Sequence, residues 1–320
     1  QKRRFSAFPR AVLAVWLCWN LRSFSQINAV FSTLGVRMSL GKCRKGLVSV
    51  LHVTVLLGCV DFGASFRRAI VQPRMIASVS DDVKRVVLIR HGAVDRSAGN
   101  IKEGAFYGGN IDLPLSTLGE AEADAAAAYL VEELKLDAEA VQCLWSSPMK
   151  RALRGAEKVK AALGGDLEIQ VAENFREVYR GIWTNMTREE IEDPNLGLGG
   201  PGAVARFWED IYKGGEPSKG ESVIDIQTRV LEAFGGELLP SAQVGKVAIL
   251  VSHLWVTRSI LAHLLDSQDF AGLIVPTASI SVVDILCNED GSHCVDEETG
   301  RILARVHEIG IKPDVSSPVS

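Results

Sequence analysis

Short apolar runs alternate with longer amphipathic segments from residue 83 onward, and this alternation predicts strands and helices in turn. The runs Val86–Ile89, Val141–Trp145 and Val247–Val251 are rich in branched apolar residues and predict buried strands. Further strands are predicted over Ser279–Leu286 and Ile302–Val306. Strands that alternate with helices are typical of a single α/β domain, with a mainly parallel sheet and helices on both faces.

Three helices are predicted from their start signals and their apolar spacing. Ser116 is a suitable N-cap for a helix from Thr117 to about Leu134. Pro148 is predicted to open a second helix, because proline is favoured at the first helical position. A third helix is predicted from Leu254 to Leu265, directly after a strand. These helices supply the layers that would cover the sheet.

The first 80 residues do not resemble a folded domain. They contain two apolar runs, Ala11–Trp19 and Leu47–Val60, which are shorter than the roughly 20 residues that span a bilayer. We therefore expect no stable membrane span in the mature domain. The predicted organisation is a targeting or poorly ordered presequence over residues 1–80, a domain over residues 81–312 and a tail over residues 313–320.

The presequence combines basic residues, an apolar run and small residues, in the order typical of a secretory signal peptide. That interpretation takes Met38 as the start. The following Phe66-Arg67-Arg68 resembles the two-part plastid presequences of algae with complex plastids. An organelle is therefore predicted, and a plastid is favoured over a mitochondrion. Two alternatives stay open: a membrane anchor, or a cytoplasmic protein if residues 1–80 are not translated.

The charge is distributed unevenly along the chain. Residues 1–80 hold 12 Lys and Arg and one acidic residue, whereas the remainder holds 23 basic and 38 acidic residues, a net charge of −15. This acidic excess argues against nucleic acid as a partner. There is no Cys-x-x-Cys pair and no zinc-finger spacing, so no metal site is predicted. The sequence gives no indication of the oligomeric state.

Polar residues with phosphate-binding chemistry follow the first three predicted strands. The first strand runs into Arg90, His91 and Gly92, the second is followed by Arg151, and the third by His253. Because the carboxyl ends of parallel strands meet at one edge of a sheet, we expect these residues to converge. Guanidinium groups bind phosphate oxygens through paired hydrogen bonds. Gly92 is expected to let the backbone approach the ligand closely.

Several segments, in order, resemble the histidine phosphatase superfamily, which includes the cofactor-dependent phosphoglycerate mutases. The segments are Val86–Gly92, Tyr107–Gly108 with Asp112–Ser116, Ser146–Ala152, Phe175–Glu177, Gly220–Ser222 with Arg229, and Val251–His253. The resemblance covers residues 85 to about 308. A lone Arg-His-Gly would be a weak signal, but this many segments in family order are not expected by chance.

The resemblance implies a role for each matching residue. His91 corresponds to the nucleophile that takes the phosphoryl group, and Glu177 to the proton donor. Arg90, Arg151 and His253 correspond to the phosphate pocket. The chemistry agrees, because neutral imidazole is a good nucleophile and an alkoxide leaves only when an acid protonates it. A cationic pocket stabilises the phosphoryl group without a metal, so no cofactor is predicted.

Four residues depart from the family pattern. Ser97 stands where many members have a phosphate-binding asparagine, and we expect it to make a weaker contact of that kind. Leu254 stands where many have glycine, and Thr184-Asn185 where many have Glu-Gly. Glu173 lies near Glu177 and is the alternative acid. These departures affect the choice of substrate rather than the chemistry.

The predicted function is therefore a phosphatase for a small phosphorylated metabolite, acting through a phosphohistidine. The first alternative is a phosphoglycerate mutase, which begins with the same phosphohistidine. The second is a catalytically weak binding or regulatory member of the fold. The presence of His91 and the two motif arginines, Arg90 and Arg151, argues against that second alternative.

Overall fold

The computed structural model describes residues 37–38, 53–54, 79–209 and 218–315. The chain divides into two units, residues 1–72 and residues 73–320. In the first unit, Arg37–Met38 and Val53–Thr54 pair as short antiparallel strands. The predicted targeting segment otherwise lies outside the described residues, so the proposed domain boundaries stay predictions. Within the described part of the chain, no helix has both the length and the apolar character needed to cross a membrane.

The second unit contains one six-stranded sheet, and four of its strands run parallel. Its strands are β1 (Val83–Arg90), β2 (Val141–Ser146), β3 (Ile169–Val171), β4 (Val247–Ser252), β5 (Ile280–Leu286) and β6 (Ala304–Ile311). Their order across the sheet is β3-β2-β4-β1-β5-β6. Strands β1 to β4 are parallel, whereas β5 and β6 are antiparallel additions at one side. The predicted α/β class is confirmed.

Helices cover both faces of this sheet. They are α1 (Thr117–Glu132), α2 (Lys150–Leu163), α3 (Arg188–Glu192), α4 (Ala203–Glu209), α5 (Val223–Ala233), α6 (Leu239–Ser241) and α7 (Leu254–Leu264). Residues of α1 and α2 pack in one apolar cluster, and residues of α4, α5 and α7 pack in another.

The central strands are buried on both sides, which explains their unbroken apolar runs. In β1, Val86 and Leu88 belong to one apolar cluster, whereas Val87 and Ile89 belong to the other. All six residues of β4 are buried. Each buried Val, Leu or Ile side chain of these strands contributes about 1.5–3 kcal/mol through its removal from water. This burial fixes the register of β1 and β4, and with it the level at which the two strands end.

The start of the second helix and both ends of the last strand differ from the prediction. Helix α2 begins at Lys150 rather than at Pro148, because Met149 is extended and the Lys150 amide donates to Asp112 Oδ1 at 2.8 Å. The last strand is β6, Ala304–Ile311, rather than Ile302–Val306. It lies at the edge of the sheet, where alternate side chains are partly exposed and polar residues are tolerated. The predicted cap Ser116 is confirmed, since its Oγ accepts from the Gly119 amide at 3.1 Å.

Candidate active site

Strands β1, β2 and β4 lie side by side and end at the same level. The His91 amide, just beyond β1, donates to the carbonyl of Ser252 at 2.9 Å. The Ser147 amide, just beyond β2, donates to the carbonyl of Val251 at 3.1 Å. The residues that follow the three strands therefore meet at one edge, as predicted for parallel neighbours.

His91 is buried and held as a neutral imidazole. Its Nδ1 lies 2.6 Å from the carbonyl oxygen of Gly92, and because a carbonyl only accepts, Nδ1 carries the hydrogen. Its Nε2 therefore holds a lone pair, which accepts from Arg151 Nε at 3.2 Å. Burial, and then the charges of Arg151 and Arg90, hold the pKa of His91 well below its usual range. The nitrogen that a nucleophile needs is thus unprotonated and oriented.

Arg151 is fully buried beside His91, near the start of α2. Its Nη2 donates to the carbonyl of Gly108 at 3.1 Å and its Nη1 to that of Ile111 at 3.2 Å. The guanidinium carbon lies 5.4 Å from the centre of the Tyr107 ring. Neutral carbonyls orient the cation without neutralising it, so Arg151 retains a charge that an anion would stabilise.

Arg90 and His253 complete the cationic and imidazole cluster. Arg90 Nη1 donates to the carbonyl of Val275 at 2.7 Å, and His253 Nε2 lies 2.7 Å from Ser147 Oγ. The rings of His91 and His253 meet edge to face, with centres 5.0 Å apart. Burial is the main cause that lowers the pKa of both Arg90 and His253.

Two buried polar atoms in this cluster have no hydrogen-bond partner among the described residues. They are Arg90 Nε and His253 Nδ1. Leaving such an atom unpaired costs about 1–3 kcal/mol. A ligand bound at this cluster could supply the hydrogen bond that Arg90 Nε lacks.

Glu177 lies against the same cluster and is 8 % exposed. Its Oε1 accepts from the amides of Val178 at 2.9 Å and Trp255 at 3.3 Å. The carboxyl also acts electrostatically on both pocket arginines, and raises the pKa of each against the effect of burial. The alternative acid Glu173 is exposed and pairs with Arg176 at 3.1 Å. The geometry therefore favours Glu177 over Glu173.

Arg229 fixes the backbone that carries Glu177. Its Nη1 donates to the carbonyls of Asn174 at 2.7 Å and Arg176 at 2.8 Å, and its Nη2 to that of Glu177 at 3.2 Å. The Glu221 carboxylate holds the same guanidinium through Nε at 2.5 Å and Nη2 at 2.9 Å. Glu221 and Arg229 belong to the segments that resemble the family, and in the structure they hold the backbone of residues 174–177 in place.

The contacts of Gly92 and Ser97 in the structure differ from the phosphate contacts predicted for them. A side chain at Gly92 would place Cβ 2.3 Å from the carbonyl oxygen of Gly119, so close packing against α1 already requires glycine there. Ser97 is exposed, and its Oγ donates to Asp95 Oδ1 at 2.5 Å. No described hydrogen bond joins Ser97 to the cluster. A phosphate contact from either residue stays a prediction.

Sequence reasoning missed Glu122, a buried acid on α1 that braces the loop after His91. Its Oε2 accepts from the Ala93 amide at 2.7 Å, and its Oε1 accepts from Thr277 Oγ1 at 3.1 Å and from Lys312 Nζ. Its burial could have been predicted from its spacing, because Glu122 precedes the buried Ala126 by four residues and therefore lies on the apolar face of the helix.

The arrangement brings together a neutral nucleophile, two arginines and a carboxyl group, which is the set that covalent phosphoryl transfer needs. Across the residues that the structure describes, no three His, Cys, Asp or Glu side chains cluster as potential metal ligands.

The fold is that of an α/β protein whose polar cluster lies at the carboxyl edge of a mainly parallel sheet. The family model of the histidine phosphatase superfamily (branch 1) matches residues 86–295. The chain belongs to this superfamily, and the resemblance drawn from the sequence is confirmed.

The relatives include both mutases and phosphatases. A 2,3-bisphosphoglycerate-dependent phosphoglycerate mutase of Tropheryma whipplei is 28% identical over 238 residues, which cover 68% of this chain and 98% of that protein. A glucosyl-3-phosphoglycerate phosphatase of Mycolicibacterium vanbaalenii is 29% identical over 188 residues, covering 57% and 75%. Among solved structures, mycobacterial hydrolase 1 superposes with a TM-score of 0.56 at 25% identity, covering 71% of this chain and 99% of that one.

Proposed function

We propose that this domain hydrolyses small phosphate monoesters through a phosphohistidine at His91. The observation that carries the proposal is the neutral His91 imidazole, whose Nε2 lone pair lies 3.2 Å from Arg151 Nε at the centre of the buried cluster. A buried, oriented and unprotonated nitrogen beside uncompensated cations suits attack on an anionic phosphorus centre.

The reaction proceeds in two steps. His91 Nε2 forms a bond to phosphorus while the ester P–O bond breaks, and Glu177 gives its proton to the departing oxygen. Water then attacks the phosphohistidine, Glu177 takes the proton from that water, and the P–N bond breaks to release phosphate. Arg90 and Arg151 stabilise the negative charge of the phosphoryl oxygens in both steps. The histidine and the acid return to their starting states.

Lys102, a surface cation near the site, is paired with a carboxylate, which supports water rather than a phosphoglycerate as the acceptor of the phosphoryl group. Lys102 Nζ pairs with Glu190 at 2.7 Å. Arg96 Nη2 donates to the carbonyls of Lys102 at 2.6 Å and Ala105 at 2.9 Å. A mutase has to retain a highly charged phosphorylated intermediate. The Glu190 carboxylate neutralises Lys102, whereas the described hydrogen bonds of Arg96 go only to neutral carbonyls and leave its charge, so only Lys102 argues against the mutase.

Phosphoglycerate mutase activity is the second candidate. It is favoured by the mutase relative, which this chain covers almost completely. Purified protein given 3-phosphoglycerate with 2,3-bisphosphoglycerate separates the two functions. Rapid interconversion of phosphoglycerates, with little phosphate released from any ester, would replace the phosphatase by the mutase.

The test of the phosphatase is His91→Gln, assayed for phosphate release from a panel of phosphate monoesters and for an acid-labile phosphoenzyme. We expect both to be lost, with turnover reduced by about a thousandfold or more, because glutamine has no nucleophilic ring nitrogen that could accept the phosphoryl group at this position. The matched control is His293→Gln, a histidine on the β5–β6 connection that should leave turnover unchanged. Turnover of His91→Gln within tenfold of the parent would end the proposal.

A further inference from the structure

Glu122 is a buried carboxylate on α1 that the proposed mechanism does not use. Its side chain is 4 % exposed. Its Oε2 accepts from the Ala93 amide at 2.7 Å, and its Oε1 accepts from Thr277 Oγ1 at 3.1 Å and from Lys312 Nζ. A carboxylate is tolerated away from water only when such donors and a cation replace the water. The fold therefore maintains a negative charge beside the loop that follows the nucleophile.

The Ala93 amide belongs to the peptide group that also orients His91. The carbonyl of Gly92 and the N–H of Ala93 are parts of one planar unit. His91 Nδ1 donates to this carbonyl at 2.6 Å. The N–H on the other side of the same unit donates to Glu122 Oε2 at 2.7 Å. A single chain of hydrogen bonds therefore runs from the imidazole, through the peptide, to the carboxylate.

Glu122 also contacts a second backbone segment that holds His91. The Ala278 amide donates to the carbonyl of His91 at 3.0 Å. The preceding residue, Thr277, donates its hydroxyl hydrogen to Glu122. The carboxylate therefore connects the loop after His91 with the segment that enters β5, and both contact the nucleophile.

An ion pair within the sheet is built differently. Asp284 is 5 % exposed, and its described partners are side chains. Arg85 donates to it through Nε at 2.8 Å and Nη2 at 2.9 Å, and His307 Nε2 lies 2.7 Å from its Oδ2. Glu122 instead uses one oxygen for a backbone amide two residues after the nucleophile, a contact that an ion pair alone does not require.

The charge of Glu122 acts in the direction that the reaction needs. When His91 Nε2 bonds to phosphorus, the ring keeps its Nδ1 hydrogen and becomes positively charged. Hydrogen bonds in a chain polarise one another, so a carboxylate on the Ala93 N–H makes the Gly92 carbonyl a stronger acceptor. A stronger acceptor keeps the hydrogen on Nδ1 and stabilises the positive ring.

We propose that Glu122 is a positioning residue for His91, which acts through the Gly92–Ala93 peptide to keep the Nδ1–H tautomer and to stabilise the phosphohistidine. This inference rests on the proposed function, because it assigns a role in forming that intermediate. Glu122 exchanges no proton and touches no substrate. It stays a carboxylate throughout the reaction, with Lys312 as its counter-ion.

The test is Glu122→Gln in the full chain, which removes the charge and keeps an oxygen that can accept from the Ala93 amide. The NMR resonance of the His91 Nδ1 proton in the substrate-free protein should move upfield, because its acceptor becomes weaker. Phosphoenzyme formation from 4-nitrophenyl phosphate, followed as nitrophenolate released in the first turnover, should slow by about fivefold to tenfold. That factor is the difference between a hydrogen bond to a charged and to a neutral acceptor.

A binding measurement separates this role from a merely structural one. The affinity for inorganic phosphate, measured by calorimetry, should not fall in Glu122→Gln, because the substitution removes a negative charge and leaves the pocket arginines in place. The matched control is Asp124→Asn on the same helix. Asp124 pairs with Lys158 at 2.9 Å and its side chain is 46 % exposed, so its loss should leave both the ring proton and the rate unchanged.

Three results in Glu122→Gln would overturn the inference: an unmoved ring proton, a first-turnover rate within twofold of the parent, or an equal loss of rate and phosphate affinity. If Glu122→Gln does not fold, Glu122→Asp decides, because its carboxylate is one methylene short of the Ala93 amide and an unmoved ring proton there contradicts the coupling. A parent protein that forms no phosphoenzyme would refute the proposed function. The ring proton of the substrate-free protein tests the coupling of Glu122 to His91 independently of turnover.

Discussion

Glu177→Gln tests the predicted proton donor, because it removes the acidic proton and keeps the hydrogen bonds that hold the side chain in place. The described contacts of the carboxyl group use Oε1, which accepts from two backbone amides at 2.9 and 3.3 Å. An amide oxygen accepts the same two hydrogen bonds, so the substitution should preserve the fold around it. What it removes is the proton that Oε2 would give to the leaving oxygen.

The size of the effect follows from that lost proton. General acid catalysis contributes about 10²–10⁴ in rate, or about 3–5.5 kcal/mol of barrier. An alkyl phosphate should show the whole loss, because an alkoxide does not leave readily. With 4-nitrophenyl phosphate the leaving phenolate is stable without a proton, so the loss should be at least tenfold smaller.

The assay is kcat and kcat/KM for glycerol 3-phosphate and 4-nitrophenyl phosphate, measured on the same preparations. Glu173→Gln is the matched control, because Glu173 is exposed and pairs with Arg176. An equal loss on both esters would refute the reasoning, as would a loss below tenfold on the alkyl ester. A large loss in Glu173→Gln would instead transfer the role to Glu173.

Four further predictions concern ionisation, stability, metal independence and the N-terminal residues. Because burial holds the pKa of His91 and His253 well below 6.5, both stay neutral in the folded protein. An NMR titration of the histidine rings in the substrate-free protein should therefore show no ionisation of His91 centred near pH 6.5, and one centred there would contradict the neutral His91. The unfolded chain takes up these protons as the pH falls below about 6.5, so the melting temperature should fall over that range. The fall should be less steep in a variant that replaces His253 by an apolar residue, because only His91 then contributes. Activity should survive a chelator, and complete loss in EDTA that magnesium or zinc reverses would contradict the all-protein phosphate pocket. A shortened chain that begins at Ser80 should be soluble and active, and its insolubility beside a well-behaved full chain would show that the preceding residues pack on the domain.

The sequence by itself determined the strands of the core and the residues at their ends. Val86–Ile89 and Val247–Val251 are apolar without interruption because both faces of β1 and β4 are buried. Parallel strands end at one edge, so the polar residues that follow them, His91 and His253 among them, had to meet if the strands were neighbours. This local information was sufficient for the α/β class and for the centre of the site.

Only the tertiary structure decided the features that depend on residues far apart in the chain. Helix α2 starts at Lys150 because Asp112, from a distant loop, caps it. Gly92 is required by the approach of Gly119, which no local pattern reports. Nothing in the sequence distinguishes Glu122 and Arg180 from charged residues on a surface, yet both are buried in the fold. Among the described residues, only Glu122 has a partner of opposite charge. Local pattern fixes which segments are buried, whereas the partner of a buried charge is fixed only when the layers pack together.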